Sequence, residues 1–479
     1  MEEAIRQAYS VTIETAEKSL EDKLYDQFSG VLLGSAIADA LGWMTEFLKS
    51  KKQLKRIYGV DTIIDFHTWK KKTGGRFRTY IDVIQPGEYS DDTQLMLCTA
   101  RSLRPDGTCD MEHFSKSELP LWLDYARGAG ITVTTAARAI QRKSASWNNN
   151  FFKVKRGNVY SDYREAGANG AAMRIAPIVL ANSNRFDETA YNEIWKNAIV
   201  THGHPRAIIG ALLHGKALQL VLEQGFTSSG DILSELQSFV NTLYIPLQEA
   251  PIGEWVRKWN YGQNVELEVC FQDVKNEVAS QLYFIERTLN APQVEVLTQL
   301  GCFDRATKGS GTATALAAVA LFLRYGHDYQ RAILETINMV GADTDTIGLM
   351  VGALAGAVRG YIGIPDRWAV RLQDFSYFLR VAKALSKIRL GRSNGIDLLP
   401  HTSNLPREVP DILEEIRSGK IRRGELVKHP LFGLGWVHEV MGGWIKKRES
   451  ATITLAHVMF DMGQSCWFKA YSSGCNRPS

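Results

Sequence analysis

Residues 341–360 read GADTDTIGLMVGALAGAVRG: two carboxylates, Asp343 and Asp345, open an apolar stretch with glycine at every fourth position from Gly348 to Gly360. Residues four apart share a helical face, so the pattern bares the backbone along one whole face of a helix. Glycine weakens an isolated helix, and a bare face is useful only where a second helix presses against it. The pattern therefore predicts a tightly packed helical interior that holds one acidic helix end rigidly. An N-cap needs a single acid, whereas two within three residues repel unless a cation lies between them. The apolar run Ile347–Val358 is twelve residues long and stops at Arg359, against about 20 needed to span a bilayer, so it reads as a core helix.

Helical periodicity extends over most of the chain: Leu24 to Leu41, Thr93 to Leu103, Thr132 to Ile140, Tyr191 to Val200, Pro205 to Gln224, Thr312 to Tyr325 and Thr346 to Val358 each read as helices. Short polar links such as RPDGT and SSGD separate them, and no fixed-period repeat is present, so the body is expected to be one all-α domain. With 479 residues, 45% hydrophobic and 23% charged, the chain can bury a large core. A net charge of +4 is too mild to mark a nucleic-acid surface unless a local patch does so. Six cysteines without a CxxC pair argue for reduced thiols and against a disulfide frame or zinc site. The polar N-terminus, with acids where a signal peptide would be apolar, leads us to expect a cytoplasmic protein with no membrane partner.

The tail differs. Residues 1–24 form an N-terminal helical extension and 25–392 the helical body; 393–424 read as a linker with Pro400, Pro406 and Pro410 and a charged helix, DILEEIRSGKIRRGE. Residues 425–479, rich in Val, Thr, Trp and Phe with a Gly-Gly turn, read as short strands of a small β-barrel.

A second acidic helix start lies in PGEYSDDTQLML, where Ser90, Asp91 and Asp92 precede an apolar helix. Alone it is a capping sequence. Two such clusters, each with adjacent hydroxyl and carboxylate oxygens, suit hard cations such as Mg²⁺ and would bridge two ions if they met in space. GANGAAMR (167–174) offers backbone N–H groups in a loop of small residues, either as a phosphate or ribose cradle or as tight packing, with Arg174 bracing it from inside. His202 in THGHP reads either as a helix cap or as a ligand contact.

These motifs, in this order, resemble the ADP-ribosylglycohydrolase family over roughly residues 25 to 390: GVLLGSAIADALGWMTE is similar to its first helix, SDDT to its first metal cluster, GANGAAMRIAPI to its substrate loop, THGHPRA to its histidine motif and GADTDTIG to its second metal cluster. The resemblance implies an all-α fold holding two Mg²⁺ ions, with Mn²⁺ as a substitute, between Ser90, Asp91 and Asp92 on one side and Asp343, Asp345 and Thr346 on the other. It implies a catalytic set of Glu46, Asp92 and Asp345, with Glu46 mapped seven positions after Asp39. By spacing alone, Glu46 reads as a surface acid. Substrate contacts implied are Gly130 in RGAGITVTT, Asn169, Gly170 and, as a ligand contact, His202. One departure is Ala38 where the family has glycine.

The expected activity is hydrolysis of the glycosidic bond between ADP-ribose and an acceptor; a non-catalytic ADP-ribose-binding or scaffold protein is the alternative, and the intact acids argue against it. VKHPLFGLGWV and HVMFDMGQSCWF are similar to the Tudor-like barrel at the C-terminus of some DNA helicases, which implies a protein or nucleic-acid partner. The basic segment IRRGELVKH raises a related reading, a hydrolase directed to ADP-ribosylated nucleic acid through that barrel. The acceptor-choosing segments, 47–89 and 141–166, carry no signature.

Overall fold

The structure is a computed structural model that describes residues 2–74, 79–393, 398–399, 405–444 and 451–473. The N-terminal helix runs unbroken over Glu2–Trp43, joining the predicted extension to the predicted first core helix. Its glycines meet the glycine helix, Thr344–Arg359, in antiparallel order: Gly30 faces Gly356, Gly34 faces Gly352 and Gly42 faces Thr344. A Cβ at Gly34 or Gly352 would strike the other's backbone, so the two helices touch main chain to main chain, which only glycine permits. Ala38 fits within this seam because its methyl lies 3.7 Å from where a Cβ on Gly348 would sit, an ordinary contact distance.

The other predicted body helices appear within two residues of their expected limits, with Pro205–Gln224 matched at both ends. The body is mostly helical and not all-α. Two antiparallel hairpins interrupt it, β1 (Trp69–Thr73) with β2 (Tyr80–Ile84) and β3 (Lys153–Arg156) with β4 (Val159–Asp162). Both fall in the segments that carried no readable pattern, because three consecutive lysines in WKKKT hide the alternation of a strand.

The tail forms β5 (Leu426–His429), β6 (Gly433–Trp444), β7 (Ala451–Phe460) and β8 (Ser465–Ser473), an antiparallel sheet in that order. Among the described residues β5 does not pair with β8, so the sheet is open where a closed barrel was expected; the short helix Ile412–Ser418 packs on its strands instead. His429 stacks on Phe432 at 4.9 Å and packs against Phe468, so the His-x-x-Phe-Gly-x-Gly motif builds the sheet's own core. That core is continuous with the helical body. Buried Arg101 spans the junction, with Nη2 2.7 Å from Glu118 Oε2 and Nη1 on Gln464. Pro400 and Cys475 lie outside the described residues. The five described cysteines are free, and among the described residues no helix is long and apolar enough to cross a membrane.

Candidate active site

The antiparallel seam brings the end of the N-terminal helix to the start of the glycine helix. Thr45 Oγ1 donates to the Ile337 carbonyl at 2.6 Å and lies 3.0 Å from Thr344 Oγ1, which donates to the Gly42 carbonyl at 2.9 Å. With both chain segments stapled, Glu46, Asp343 and Asp345 converge, each offering a carboxylate oxygen within 4.8 Å of the others. Asp343 occupies the N-cap position yet makes no side-chain cap bond, so the capping explanation for this acid fails. Its Oδ2 instead accepts from Asn169 Nδ2 at 2.6 Å, which ties the 167–174 loop to the acids.

Ser90 does cap the helix Asp91–Arg101, its Oγ accepting from the Asp92 amide at 3.2 Å. Asp39 of the N-terminal helix pins that helix start, accepting from the Ser90 amide at 3.1 Å and the Thr93 amide at 3.2 Å. Asp92 lines one cavity with Asp345 and Thr346, and the charge of Asp345 acts on it, so the two acidic helix starts meet as expected. Burial raises every carboxyl here: Asp39 and Asp91 go up to about 6, Asp343 to about 7 and Asp345 to about 6. Glu46 and Asp92 are also raised well above the usual range, by burial first and then by the charge of Asp345. Asp92 Oδ2 is buried without a hydrogen-bond partner. Mutually repelling, desolvated carboxylates with an orphaned oxygen fit a hard divalent cation, which prefers this donor set.

The cluster forms one wall of a cavity of about 220 Å³ whose lining includes Glu46, Asp91, Asp92, Asp343, Asp345 and Thr346, but not Ser90, which is turned to its capping role. Gly130, Asn169, Gly170 and His202 line the same cavity. His202 shares a 2.7 Å bond with Thr201 Oγ1 through Nδ1, while its buried Nε2 is unpartnered. Burial pushes its pKa down to about 3, so it is neutral. The helix-capping histidine is His204, whose Nδ1 accepts from the Arg206 amide at 3.1 Å. Arg174 braces the substrate loop, donating to the Gly170 carbonyl at 2.7 Å and to Thr201 Oγ1 at 2.9 Å.

Three contributors were missed in the sequence. Asp39 was used only to locate Glu46, although an aspartate inside an apolar helix is itself a signal of tertiary pinning. Gly128 is the glycine that the loop requires: its φ is +101°, and a Cβ there would lie 2.6 Å from Asp91 Oδ1. Gly130 has open space around its α-carbon and lines the same cavity. Lys71 on β1 is a cation beside this wall; its charge lowers Glu46 and Asp91, opposing their desolvation.

Comparison with known proteins identifies the family. A sequence profile of the ADP-ribosylglycohydrolase family matches residues 20–394. The ADP-ribosyl-[dinitrogen reductase] glycohydrolase of Rhodospirillum rubrum is 26% identical over 357 residues, covering 73% of this chain and 91% of its own. The mouse ADP-ribosylhydrolase ARH3 is 25% identical over 378 residues, with 76% and 91% covered. The ADP-ribosylarginine hydrolase Tri1 of Serratia proteamaculans is 24% identical over 374 residues, with 76% and 80% covered. The family profile spans well over half of the chain, in the part that holds both acidic helix starts and the loops between them, and the chain belongs to the ADP-ribosylglycohydrolase family.

Proposed function

We propose that this protein is a Mg²⁺-dependent hydrolase that cleaves the glycosidic bond between ADP-ribose and an acceptor. The observation that carries the reading is the convergence of Glu46, Asp343 and Asp345 at a cavity also lined by Asn169, Gly170 and His202. Asp91 and Asp92 would hold Mg²⁺ together with Asp343, Asp345 and Thr346, as two ions, with Ser90 capping the helix start behind them, and Mn²⁺ would substitute. When bound, such ions supply charge compensation and orientation for ribose hydroxyls and water.

The remaining steps belong to the chain. In the reaction the bond from the anomeric carbon to the acceptor atom breaks; the water oxygen bonds that carbon, one water proton reaches the acceptor and the charge balances. Glu46, raised by burial and like charges, is suited to hold and move that proton. Asn169 fixes Asp343. Neutral His202 offers its free Nε2 to a polar group of the substrate. The Gly130–Thr132 segment opens the helix Ile131–Ala139, and a helix start favours the anionic pyrophosphate. The open sheet is read as a Tudor-like module, with half-exposed Trp436 and Met459 paired on it as a surface for a partner.

The test is a panel of differently linked ADP-ribosyl substrates, with free ADP-ribose measured by mass spectrometry. Release from at least one linkage is expected, reduced about 10²- to 10⁴-fold in Glu46→Gln with ADP-ribose binding retained. No release from any linkage, or an unchanged rate in Glu46→Gln, would remove the reading.

A further inference from the structure

The loop 126–130 separates two cavities, and Gly128 lines both. Behind the acidic pocket lies an open cleft of about 450 Å³, with Lys71 and Lys72 of β1, Arg138 of the helix Ile131–Ala139 and Lys469 of β8 around it. No aspartate or glutamate is among its lining residues. Two of the acids behind the lining are paired: Arg127 binds Asp82 through Nη2 at 2.8 Å and Glu88 through Nη1 at 2.8 Å. Lys469 donates to the Ala126 carbonyl at 2.8 Å, and the charges of Asp82 and Asp124 act on it from outside the lining. Lys71 Nζ is buried with no hydrogen-bond partner and lies 4.1 Å from the centre of the Phe47 ring. Phe47 follows Glu46 directly and is 51% exposed.

Four cations share one cleft whose described lining carries no carboxylate, and a ligand carrying several negative charges is attracted there. A half-bare aromatic ring among them adds a flat surface on which a base can stack, and cations that follow a backbone plus a stacking ring are the recognition chemistry of single-stranded nucleic acid. The position matters as much as the composition, because the ring is the neighbour of the carboxyl assigned to proton transfer. We propose that this cleft binds a single-stranded nucleic-acid acceptor, its phosphates on Lys72, Arg138 and Lys469 and a base on Phe47, so that an ADP-ribosyl group carried by the strand enters the acidic pocket. The inference rests on the hydrolase reading for that last step: water adds its hydroxyl to the anomeric carbon and its proton to the nucleotide atom released. It also gives the C-terminal sheet a direct part in the site, through Lys469.

The experiment uses the full chain and a fluorescent single-stranded oligonucleotide titrated at several salt concentrations, for wild type and for the Lys72→Gln, Arg138→Gln double variant. Both side chains sit at the cleft surface, and matching thermal melts would show that the fold is kept. Wild type is expected to bind with steep salt dependence, and the double variant to bind at least tenfold more weakly with a log–log salt slope shallower by about 1.4, two phosphate contacts for a single strand. ADP-ribose binding and turnover of a small ADP-ribosyl substrate are expected to be unchanged, while KM for an ADP-ribosylated oligonucleotide rises. Absence of oligonucleotide binding by wild type, equal binding by the variant, a parallel loss of ADP-ribose binding, or a preference for an acidic or phosphorylated peptide would each overturn the proposal. The expected fall in oligonucleotide binding, in a protein that releases ADP-ribose from nothing, would support the cleft and overturn the hydrolase reading.

Discussion

The acidic pocket and the junction between the body and the C-terminal sheet are both buried and both rich in charge, yet they treat that charge in opposite ways. At the junction each ionic group meets a partner: Arg101 with Glu118, Arg127 with Asp82 and Glu88, and the Trp467 indole N–H with Glu88 at 2.6 Å. In the pocket, carboxylates face carboxylates, Asp92 Oδ2 and His202 Nε2 have no partner, and every acid is held above its usual range. Unpaired buried charge is costly, so its retention marks a place for something the chain itself does not contain. Paired buried charge marks a joint that must form in one way.

The sharpest way to break this contrast is Asp345→Asn, which keeps the acceptor for the Thr346 amide, at 2.9 Å, but removes a charge from the cluster. Turnover should fall by about 10²- to 10³-fold, as for loss of a preorganised group at a reacting centre, while the melting temperature in EDTA holds or rises. A variant that is active, or that melts early in EDTA, would make Asp345 a structural acid. Arg101→Met tests the opposite region: it strands Glu118 in the core and should cost about 3–5 kcal/mol in denaturant unfolding. Adding Glu118→Leu should recover most of that loss, and a double variant as unstable as the single one would show that the pair is not the joint.

Gly352→Ala places a methyl against the Gly34 carbonyl and Ala38, so overpacking by about 1–3 kcal/mol is expected. An unchanged melting curve would mean that the seam has slack. The pH-dependent test concerns Asp374, at φ 61°, whose carboxylate accepts from the Ser465 amide at 2.9 Å and the Tyr89 hydroxyl at 2.6 Å. Burial raises it from 3.8 to about 7. The folded state therefore holds this proton more tightly than the unfolded chain, and stability is lost as pH rises from about 4 to 7. Asp374→Asn has no such proton, so its stability relative to wild type should grow across that window. A constant difference would assign the pH dependence to other groups.

The pocket was more legible in the sequence than the joint, for a physical reason. Backbone contact demands missing side chains, so the column Gly348–Gly360 reports the seam from within one helix, and the acid pairs lie at helix starts that propensity already locates. Glu46, which spacing alone leaves as a surface acid, needed the family resemblance to be singled out. The joint has no local signature: Trp467 meets Glu88, and Lys469 meets Ala126, across hundreds of residues. Lys71 was hidden for a different reason, since a lysine triplet reads as a solvated face until the hairpin β1–β2 turns one of the three inward. Gly130 was singled out in place of Gly128 because a positive φ is a property of the folded loop and cannot be seen in RGAGITVTT. The open sheet was foreseen as strands but not in its closure, which the helix Ile412–Ser418 supplies from outside it.

The central claim is that the repelling acids exist to hold divalent cations for glycosidic hydrolysis. It is tested most directly by following ADP-ribose release from a substrate identified in the linkage panel, using protein stripped with EDTA and then titrated with Mg²⁺. No release is expected in EDTA, with recovery as Mg²⁺ is added and Mn²⁺ substituting. Full turnover in excess EDTA would contradict it.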